Sequence, residues 1–282
     1  MAKRVAYLGP AGTFSEAAAI AYDPSAVRVP VETFHAVAKA VEAGEADEGV
    51  VAIENSLEGS VTDTLDLLLH ETDLSIRSEI VVPVAHCLIV KPGTAIADIE
   101  VVFSHTQSLG QCRTYLHRNF PRADLVAALS NIYAVEEMLA SERLAAAIAP
   151  KRAIDLYDVV LLAEGIQDRS ENVTRFVVLA QEDHPPTGND KTSVAVTFAA
   201  EDKSGQVYHA LGEFAKRGIN LSKIESRPSK ESLGRYIFLV DLDGHRTERS
   251  VKEALDAVAP STSAFRIFGS YPKFTSAGGK AT

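Results

Sequence analysis

The sequence predicts an α/β domain followed by a smaller domain of the order βαββαβ. Short apolar runs alternate with helical patterns through about the first 180 residues, which is the rhythm of α/β proteins. The rhythm changes after the polar, proline-containing stretch QEDHPPTGND (residues 181–190), which reads as a linker. A chain of 282 residues is long for one compact domain and has room for two.

The first part contains five short apolar runs and two clear helical patterns. RVAYLG, EGVVAIE, HCLIV, EVVFS and RFVVLA are continuous apolar runs, which are typical of strands buried on both faces. TFHAVAKAVEAG predicts a helix with Thr33 as its N-cap and Gly44 as its stop. SNIYAVEEMLA predicts a second helix, capped by Ser130. This repetition indicates an α/β domain with largely parallel sheets.

The second part predicts a ferredoxin-like module. TSVAVTFA, INLSKIES, RYIFLVDLDG and SAFRIFGSY read as strands, and GQVYHALGEFAKRG and RSVKEALDAVA read as helices. Their order along the chain is βαββαβ. The alternation in the second of these strands slips after Leu221, which indicates a β-bulge. The small polar residues after Phe274 predict a disordered tail.

Composition excludes several classes of protein. The formal net charge of -10 argues against non-specific binding to nucleic acid, so any anion site must be local. The two cysteines, Cys87 and Cys112, form no CxxC pair, so neither a disulfide framework nor a thiolate zinc site is supported. No apolar run reaches the roughly 20 residues of a membrane span. MAKRVAYLGP reads as a first strand and not as a signal peptide, so we expect a cytoplasmic protein.

Polar clusters follow three of the apolar runs, where α/β sheets bind their ligands. PAGTFSEAA follows the first run, ENSLEGSV follows VVAI, and HTQSLGQC follows VVFS. These loops predict a site for a polar, anionic small molecule. The side chains concerned are Thr13, Ser15, Asn55, Ser56, Ser104, Gln107 and Gln111.

Each cluster also has a purely structural interpretation, which the residues alone leave open. Thr13 and Ser15 could cap a helix. His105 could be a satisfied histidine at a strand end, and Cys112 could be a small helix residue. Thr174 and Arg175 could be residues of a strand edge. Gly9 and Gly12 lack the GxGxxG spacing, so a dinucleotide fold is disfavoured.

The order of the motifs resembles one enzyme family, the prephenate dehydratases. GPAGTFSE (9–16), IENSLEGSV (53–61), SHTQSLGQC (104–112) and NVTRF (172–176) are similar to that family's ordered motifs. GINLSKIESRP (218–228) and YIFLVD (236–241) resemble the family's C-terminal ACT regulatory domain. The resemblance extends from Val5 to about Phe274.

The resemblance implies a catalytic domain over residues 1–182 and an ACT domain over residues 191–274. The family's catalytic domain has two subdomains with a fold like that of periplasmic binding proteins, and its active site lies in the cleft between them. We expect subdomain 1 at about residues 1–80 and 162–182, and subdomain 2 at about residues 81–161.

The resemblance also implies the reaction. Prephenate would lose its ring carboxylate as CO2 and its 4-hydroxyl as water, giving phenylpyruvate for phenylalanine synthesis, without a metal or an organic cofactor. The family places the threonine of TRF, here Thr174, opposite the departing hydroxyl, and Arg175 is a plausible seat for a carboxylate. Expected catalytic residues are Thr174, Asn55, Gln111, Glu54 and Ser104, and expected substrate contacts are Arg175, Thr13, Ser15, Ser56, Gln107 and Phe176.

The ACT resemblance implies feedback inhibition by phenylalanine and pairing of the chain into a homodimer or homotetramer. GQVYHAL departs from the Gly-Ala-Leu of many relatives, whereas ESRP is intact. Expected effector contacts are Gly205, Gln206, Val207, Asn220, Leu221, Glu225, Ser226 and Arg227. Two alternatives stay open: an arogenate dehydratase, and a non-catalytic cytosolic sensor of amino acids.

Overall fold

The computed structural model describes residues 2–198, 204–230 and 234–275. The chain divides into two compact units. One comprises residues 1–37, 50–62 and 81–176, and the other comprises residues 38–49, 63–80 and 177–282. The predicted tail after Phe274 lies, beyond residue 275, outside the described residues. In the part of the chain that is described, no helix is long and apolar enough to cross a membrane.

The first 180 residues form two sheets with helices against them, as the strand and helix alternation predicts. One sheet has the strand order β2-β1-β3-β11-β5, with β4 paired to β3, and the other has the order β10-β6-β9-β7-β8. The strands are β1 Arg4–Leu8, β2 Val27–Val31, β3 Glu48–Asn55, β4 Gly59–Ser60, β5 Ser75–Pro83, β6 Cys87–Val90, β7 Val101–His105, β8 Asp124–Ala128, β9 Ala145–Ala149, β10 Val160–Glu164 and β11 Val173–Ala180. The helices are α1 Phe14–Tyr22, α2 Phe34–Glu42, α3 Thr62–Asp66, α4 Thr106–Gln111, α5 Arg113–Asn119 and α6 Asn131–Ala140, with a π-helical turn at Leu67–Glu71 and 3₁₀ turns at Ile96–Asp98 and Lys151–Asp155.

The predicted helix caps are confirmed. The Thr33 hydroxyl accepts a hydrogen bond from the backbone N–H of Ala36 at 3.0 Å, and the Ser130 hydroxyl accepts one from Tyr133 at 3.0 Å. These caps fix where α2 and α6 begin. Val37 of α2 and Ile132 of α6 are fully buried.

The prediction of largely parallel sheets is wrong for the second sheet. β7 is parallel to β8 and β9, but β6 is antiparallel to both β9 and β10. The run HCLIV is buried on both faces, so its apolar residues fit the sheet equally well in either direction. The reversal matters for function, because it places the start of β6 at the sheet edge where β7 and β9 end.

The predicted βαββαβ order is confirmed in the last third of the chain. The described elements are β12 Asp190–Phe198, α7 Gln206–Ala215, β13 Leu221–Pro228, β14 Tyr236–Asp243, α8 Arg249–Val258 and β15 Thr262–Pro272, with a 3₁₀ turn at Ala259–Ser261. The strands form one sheet in the order β13-β14-β12-β15, and the three pairings between neighbours are antiparallel. The register of β13 against β14 shifts between Leu221 and Lys223, which confirms the predicted bulge. Phe214 and Leu255 of the two helices pack into the core beside Val194 and Val240.

Candidate active site

The candidate site lies where two sequence motifs end their strands and a third motif begins one. Asn55 is the last residue of β3, His105 is the last residue of β7, and Thr174 lies at the start of β11. His86 precedes β6 directly, and β6 runs antiparallel to β9, with Cys87 paired to Ala149. The start of β6 therefore meets the carboxyl ends of its neighbours, where ligands bind in sheets of this type.

Asn55 makes the contact that organises the site. Its Oδ1 accepts hydrogen bonds from the backbone N–H groups of Leu57 (3.0 Å) and Glu58 (3.1 Å). Its Nδ2 donates to the Thr174 hydroxyl at 2.9 Å and to Asn172 Oδ1 at 2.8 Å. A third contact from the same Nδ2 reaches the backbone oxygen of Val173 at 3.2 Å. Thr174 thus accepts a hydrogen bond from Asn55 and keeps its own proton available.

The network continues from Asn172 to two further side chains. Asn172 Nδ2 donates to Gln111 Oε1 at 3.0 Å. The same oxygen lies 2.9 Å from His86 Nε2, and Gln111 Nε2 donates to Glu58 Oε1 at 3.3 Å. Thr174, Asn55 and Gln111, which were predicted separately, therefore belong to one hydrogen-bonded chain. Asn172 lies in the motif NVTRF but was not predicted as a site residue, and neither was His86.

Arg175 and Glu54 form an ion pair. The guanidinium lies 3.0 Å from the Glu54 carboxylate through Nη2 and 3.2 Å through Nε. The Arg175 side chain is 13% exposed, so the pair is partly shielded from water. A substrate carboxylate at Arg175 would have to share the guanidinium with Glu54. The predicted contact of Arg175 with a carboxylate stays a prediction.

Several predicted site residues are part of the fold itself, as a helix cap or as buried side chains. The Thr13 hydroxyl accepts from the Glu16 N–H at 3.2 Å and is the N-cap of α1. Ser104 is fully buried, and its hydroxyl lies 2.9 Å from the Ile148 carbonyl oxygen. Ser15 and Phe176 are buried too, at 7% and 1% exposure. The catalytic role of Ser104 stays a prediction, and so do the substrate contacts of Thr13, Ser15 and Phe176.

The loop that carries Thr13 is held close to α6. Gly12 has φ of +93°, and a Cβ there would lie 2.6 Å from Ile132 Cδ1. Its backbone N–H donates to Glu16 Oε2 at 2.7 Å. Only glycine combines this backbone conformation with this close approach.

A cavity of about 580 Å³ opens beside the network, within the ~300–1,000 Å³ range of small-molecule sites. Arg169 lines this cavity, and Ser56 lines a neighbouring hollow together with Arg169. Among the described residues, no hydrogen bond or ion pair engages Arg169. The polar side chains on the cavity wall are Glu58, His105, Thr106, Gln107, Gln111, Gln167, Asp168, Arg169 and Asn172.

Burial shifts three titratable groups near the site. It lowers the pKa of His86, against a smaller upward effect of the hydrogen bond to Gln111. It raises the pKa of the Cys112 thiol to about 12 and that of Cys87 to about 11. Both thiols are fully buried, so Cys112 is the small buried residue that the structural interpretation expected. In the described ranges, no cluster of three or more histidine, cysteine or acidic side chains could hold a metal ion.

Comparison with known proteins identifies the family. The family model of prephenate dehydratase matches residues 5–184, which is more than half of the chain, and the model of the ACT domain matches residues 194–260. The chain belongs to the prephenate dehydratase family. Prephenate dehydratases are lyases, so the chain is an enzyme of that class. Its ACT domain follows the catalytic domain in the sequence.

Two curated relatives illustrate the match. The bifunctional chorismate mutase/prephenate dehydratase of Aquifex aeolicus is 44% identical over 96% of this chain and 74% of its own length. The prephenate dehydratase of Mycobacterium tuberculosis H37Rv is 38% identical over 98% of this chain and 88% of its own length.

Two solved structures share the fold. Prephenate dehydratase from Arthrobacter aurescens in complex with L-Phe superposes with a TM-score of 0.88 at 37% identity, over 96% of this chain and 90% of that one. GqqA, called a novel type of quorum quenching acylase, superposes with a TM-score of 0.87 at 29% identity, over 96% and 98%. The predicted fold class, a dehydratase fold followed by an ACT domain, is confirmed.

The predicted effector residues lie at two places in the ACT domain. Gly205 is the N-cap of α7 with φ of +87°, and Gln206 and Val207 are the first helical residues. Asn220 precedes β13 and donates to Asp243 Oδ2 at 3.4 Å, and Leu221, Glu225, Ser226 and Arg227 lie along β13. The Arg227 guanidinium donates to Asp66 Oδ1 at 3.1 Å.

Proposed function

We propose that the cavity lined by Gln111 and Asn172, which belong to the same hydrogen-bonded network as Thr174, is the place where this enzyme converts prephenate to phenylpyruvate, CO2 and water. The main observation in support of this proposal is the 2.9 Å hydrogen bond from Asn55 Nδ2 to the Thr174 hydroxyl. It occupies an oxygen lone pair of Thr174 and leaves the hydroxyl proton free to point at a substrate. Among the described residues, no acceptor takes that proton.

The reaction asks little covalent chemistry of the protein. The electron pair of the bond to the ring carboxylate becomes a ring π bond, CO2 leaves, and the bond from C4 to oxygen breaks. Hydroxide departs with the electron pair of the C4–oxygen bond and is protonated to water, while the ring becomes aromatic. The developing hydroxide is the charge that needs stabilising, and Thr174 would supply a hydrogen bond to it. One such donor is commonly worth about 10²- to 10³-fold in rate.

Thr174 does not have to ionise to act in this way. A hydrogen-bond donor stabilises a developing anion without losing its proton, and solvent can complete the water. The Asn55 N–H stabilises the negative charge that accumulates on Thr174 Oγ1 as the hydroxyl hydrogen shifts toward the substrate. This arrangement supports a threonine in a role that its ordinary acidity would not allow.

We propose that Arg169 binds one carboxylate of the substrate. Arg169 lines the cavity and is exposed, whereas Arg175 is engaged by Glu54. Glu58 and Asp168 lie on the same cavity wall, so a dianion needs a local cation there. Arg169→Gln should raise KM for prephenate about 10-fold or more with a smaller change in kcat. Arg122→Gln, which changes an exposed arginine outside the cavity, is the matched control.

Incubating the purified protein with prephenate alone tests the catalytic proposal. Phenylpyruvate, followed by its ultraviolet absorbance, should form without any added cofactor. Thr174→Val, which keeps the shape and loses the hydroxyl, should lose turnover while its circular dichroism spectrum is unchanged. Thr174→Ser keeps the donor and should retain measurable activity. A fully active Thr174→Val enzyme would refute the role of the hydroxyl.

The same assay separates the alternatives. A higher kcat/KM for arogenate than for prephenate would indicate an arogenate dehydratase, and no product from either would favour a non-catalytic sensor. Because the fold is similar to that of GqqA, the assay should also include an N-acylated amine as a substrate for acylase activity. Acyl transfer through cysteine needs an accessible thiolate, and the buried thiols of Cys87 and Cys112, with pKa values of about 11 and 12, do not offer one.

We propose that phenylalanine inhibits the enzyme through the ACT domain and that Arg227 transmits its binding. Asp66, at the end of α3, is held by Arg227 at 3.1 Å and by Lys230 at 2.7 Å. The hydrogen bond from Lys230, followed by the charge of Arg227, lowers the pKa of Asp66. Asp66 stands six residues after Ser60 in the chain, and Ser60 of β4 pairs with Glu54. A ligand that draws Arg227 away from Asp66 would therefore act on the segment that follows the active-site loop.

Asp66→Asn tests this coupling. Loss of the charge should raise the phenylalanine concentration for half-inhibition by about 5-fold or more, since allosteric couplings are typically 5- to 150-fold. Asp63→Asn removes an exposed carboxylate from the same helix and is the matched control. Arg227→Ala and Ser226→Ala should also blunt inhibition without abolishing turnover. Unchanged inhibition in Asp66→Asn and Arg227→Ala together would mean that the coupling lies elsewhere.

We further propose that the enzyme is cytoplasmic and works as a homodimer or homotetramer. β13 is an edge strand of the ACT sheet, and Ile224 on it is 51% exposed, which favours pairing of ACT domains there. Sedimentation of the purified protein would distinguish a dimer from a tetramer, and a monomer at assay concentration would contradict the proposal.

A further inference from the structure

We infer that His86 is a positioning residue for this reaction, which fixes the direction of the Gln111 amide on the cavity wall; the inference rests on the function proposed above. His86 is 1% exposed, and its Nε2 lies 2.9 Å from Gln111 Oε1. It lies outside the motifs that the sequence singled out.

The direction of the network can be worked out from groups whose roles are certain. Backbone N–H groups can only donate, so Asn55 Oδ1 is the acceptor for Leu57 and Glu58. The other end of the Asn55 amide is therefore Nδ2, and it donates to Asn172 Oδ1 and to Thr174 Oγ1. Asn172 must then present its own Nδ2 to Gln111.

The same logic assigns the tautomer of His86. Gln111 Oε1 accepts from Asn172, so this atom is the amide oxygen and can only accept from His86 as well. His86 Nε2 therefore carries the hydrogen. Glu58 supports the assignment at the other end of the amide, because its carboxylate accepts from Gln111 Nε2 at 3.3 Å.

His86 is built to hold this orientation. Its backbone N–H donates to Gln167 Oε1 at 3.0 Å, and its carbonyl oxygen accepts from the N–H groups of Gly165 and Ile166. Phe14 packs edge-on against the ring, with centroids 5.9 Å apart. Nδ1 is buried and has no hydrogen-bond partner among the residues that the structure describes. The ring thus makes one directional side-chain contact, and that contact is with Gln111.

Loss of the His86 donor removes one of the two groups that hold Gln111 Oε1. The Gln111 amide can then shift or turn over, away from the Asn172 N–H and the Glu58 carboxylate, so the end of the amide that Gln111 presents to the cavity is no longer fixed. Asn55 and its hydrogen bond to Thr174 keep their direction, because the backbone N–H groups of Leu57 and Glu58 hold the Asn55 oxygen. The expected consequence is a defect in turnover, with the fold intact.

Three variants test this. His86→Leu should lower kcat about 10- to 100-fold, with a smaller change in KM, since Gln111 Oε1 loses one of its two donors and the amide is no longer held in one direction. His86→Gln can place an amide N–H near the Nε2 position and should recover most of that loss. His245→Leu is the matched control, because His245 is a buried histidine between β14 and α8 of the ACT domain with its own hydrogen bonds to Thr247 and His184. It should lose thermal stability and keep kcat.

A double-mutant cycle distinguishes positioning from a general structural role. If His86 acts through Gln111, His86→Leu should cost almost nothing further in a Gln111→Met background, because interacting residues are not additive. An undiminished cost in that background would overturn the inference. So would a His86→Leu enzyme with wild-type kcat, or a folded His86→Gln enzyme as slow as His86→Leu.

Nitrogen NMR of the wild-type protein labelled at histidine needs no variant to fold. It should show the hydrogen of His86 on Nε2, and a hydrogen on Nδ1 would overturn the inference. Formation of phenylpyruvate by the wild-type enzyme tests the proposed function separately. The ratios between variants and the tautomer test His86, so the two failures can be told apart.

Discussion

Asn55→Asp is the sharpest perturbation of the proposed mechanism, because it changes one atom of the network. Aspartate keeps the oxygen that accepts from Leu57 and Glu58, so the local turn is preserved. It replaces the donor Nδ2 by a second acceptor, which faces Asn172 Oδ1 at 2.8 Å and Thr174 Oγ1 at 2.9 Å.

The structure lets the cost in stability be estimated. The two hydrogens of Asn55 Nδ2, which are shared among three acceptors, are lost, and each hydrogen bond is worth about 0.5–1.5 kcal/mol net. The two bonds accepted from backbone become charge-assisted and roughly twice as strong, which offsets part of that loss. Asn55 is only partly buried, so water can satisfy some of what remains. We expect a net loss of about 1–2 kcal/mol in the free energy of unfolding.

The cost in catalysis should be larger. Thr174 would turn its hydroxyl proton to the new carboxylate, so the departing hydroxide loses its donor and meets a negative charge nearby. Loss of one such donor is worth about 10²- to 10³-fold in kcat, or about 2.7–4 kcal/mol. The signature is therefore a rate that falls by more than the change in stability explains.

The assay is phenylpyruvate formation at saturating prephenate, paired with urea unfolding of the same preparation. Asn119→Asp, which introduces the same charge at an exposed residue of α5, is the control and should leave kcat unchanged. An Asn55→Asp enzyme that is folded and within about fivefold of wild-type kcat would refute the reasoning, because Thr174 would then not depend on that donor.

Three further predictions follow from burial and backbone geometry. Cys112 and Cys87, with pKa values of about 12 and 11, should not react with iodoacetamide in the native protein at pH 8, whereas urea should expose two reactive thiols. Because burial lowers the pKa of His86, the unfolded chain binds a proton there at a higher pH than the folded one, so His86 should destabilise the native state as pH falls below the ordinary histidine value of about 6.5. His86→Gln should flatten that dependence of Tm on pH, and an unchanged slope would contradict the assignment. Gly269→Ala should cost about 1–3 kcal/mol or more by urea unfolding, because Gly269 has φ of +146° and an added Cβ would overlap the backbone of Ile76.

Local patterns predicted much of this fold because the forces that set them are local. Thr33 and Ser130 cap helices through contacts three residues away, and such spacings can be read from the letters. The slip after Leu221 showed as a break in alternation, since a bulge turns the following side chains to the other face. The same reading left Thr13 ambiguous, because a cap and a ligand contact ask for the same hydroxyl.

The sequence could not show the direction of β6, and the miss of His86 follows from that. Site residues are expected at the carboxyl ends of strands. β6 runs opposite to β9, so its amino end lies at that edge and the residue before it enters the site. HCLIV alone carries no sign of its direction, because strands buried on both faces show no alternation. A histidine placed directly before such a run is the signal that could have drawn attention.

The order of the hydrogen bonds was also out of reach, because it depends on contacts far apart in sequence. Asn55 and Asn172 are 117 residues apart, and Gln111 and Asn172 are 61 apart. The motifs predicted that these regions meet, but an amide can face its partner in two ways. Only the backbone donors at Leu57 and Glu58 decide which way Asn55 faces, and every later assignment depends on that one.

A chain of neutral amides also suits the charge problem that the sequence raised. The protein has a formal net charge of -10, and its substrate is a dianion. A carboxylic acid as proton donor would add a further negative charge whenever it ionised, and would need a strongly raised pKa to stay protonated at neutral pH. Asn55, Asn172 and Gln111 pass orientation from one side chain to the next without carrying charge at any pH. Thr174 can then be a weak acid and still donate in one fixed direction, because its neighbour leaves its oxygen no other role than acceptor. The weakness of the threonine hydroxyl as an acid is therefore compatible with catalysis so long as the donors behind it keep their direction.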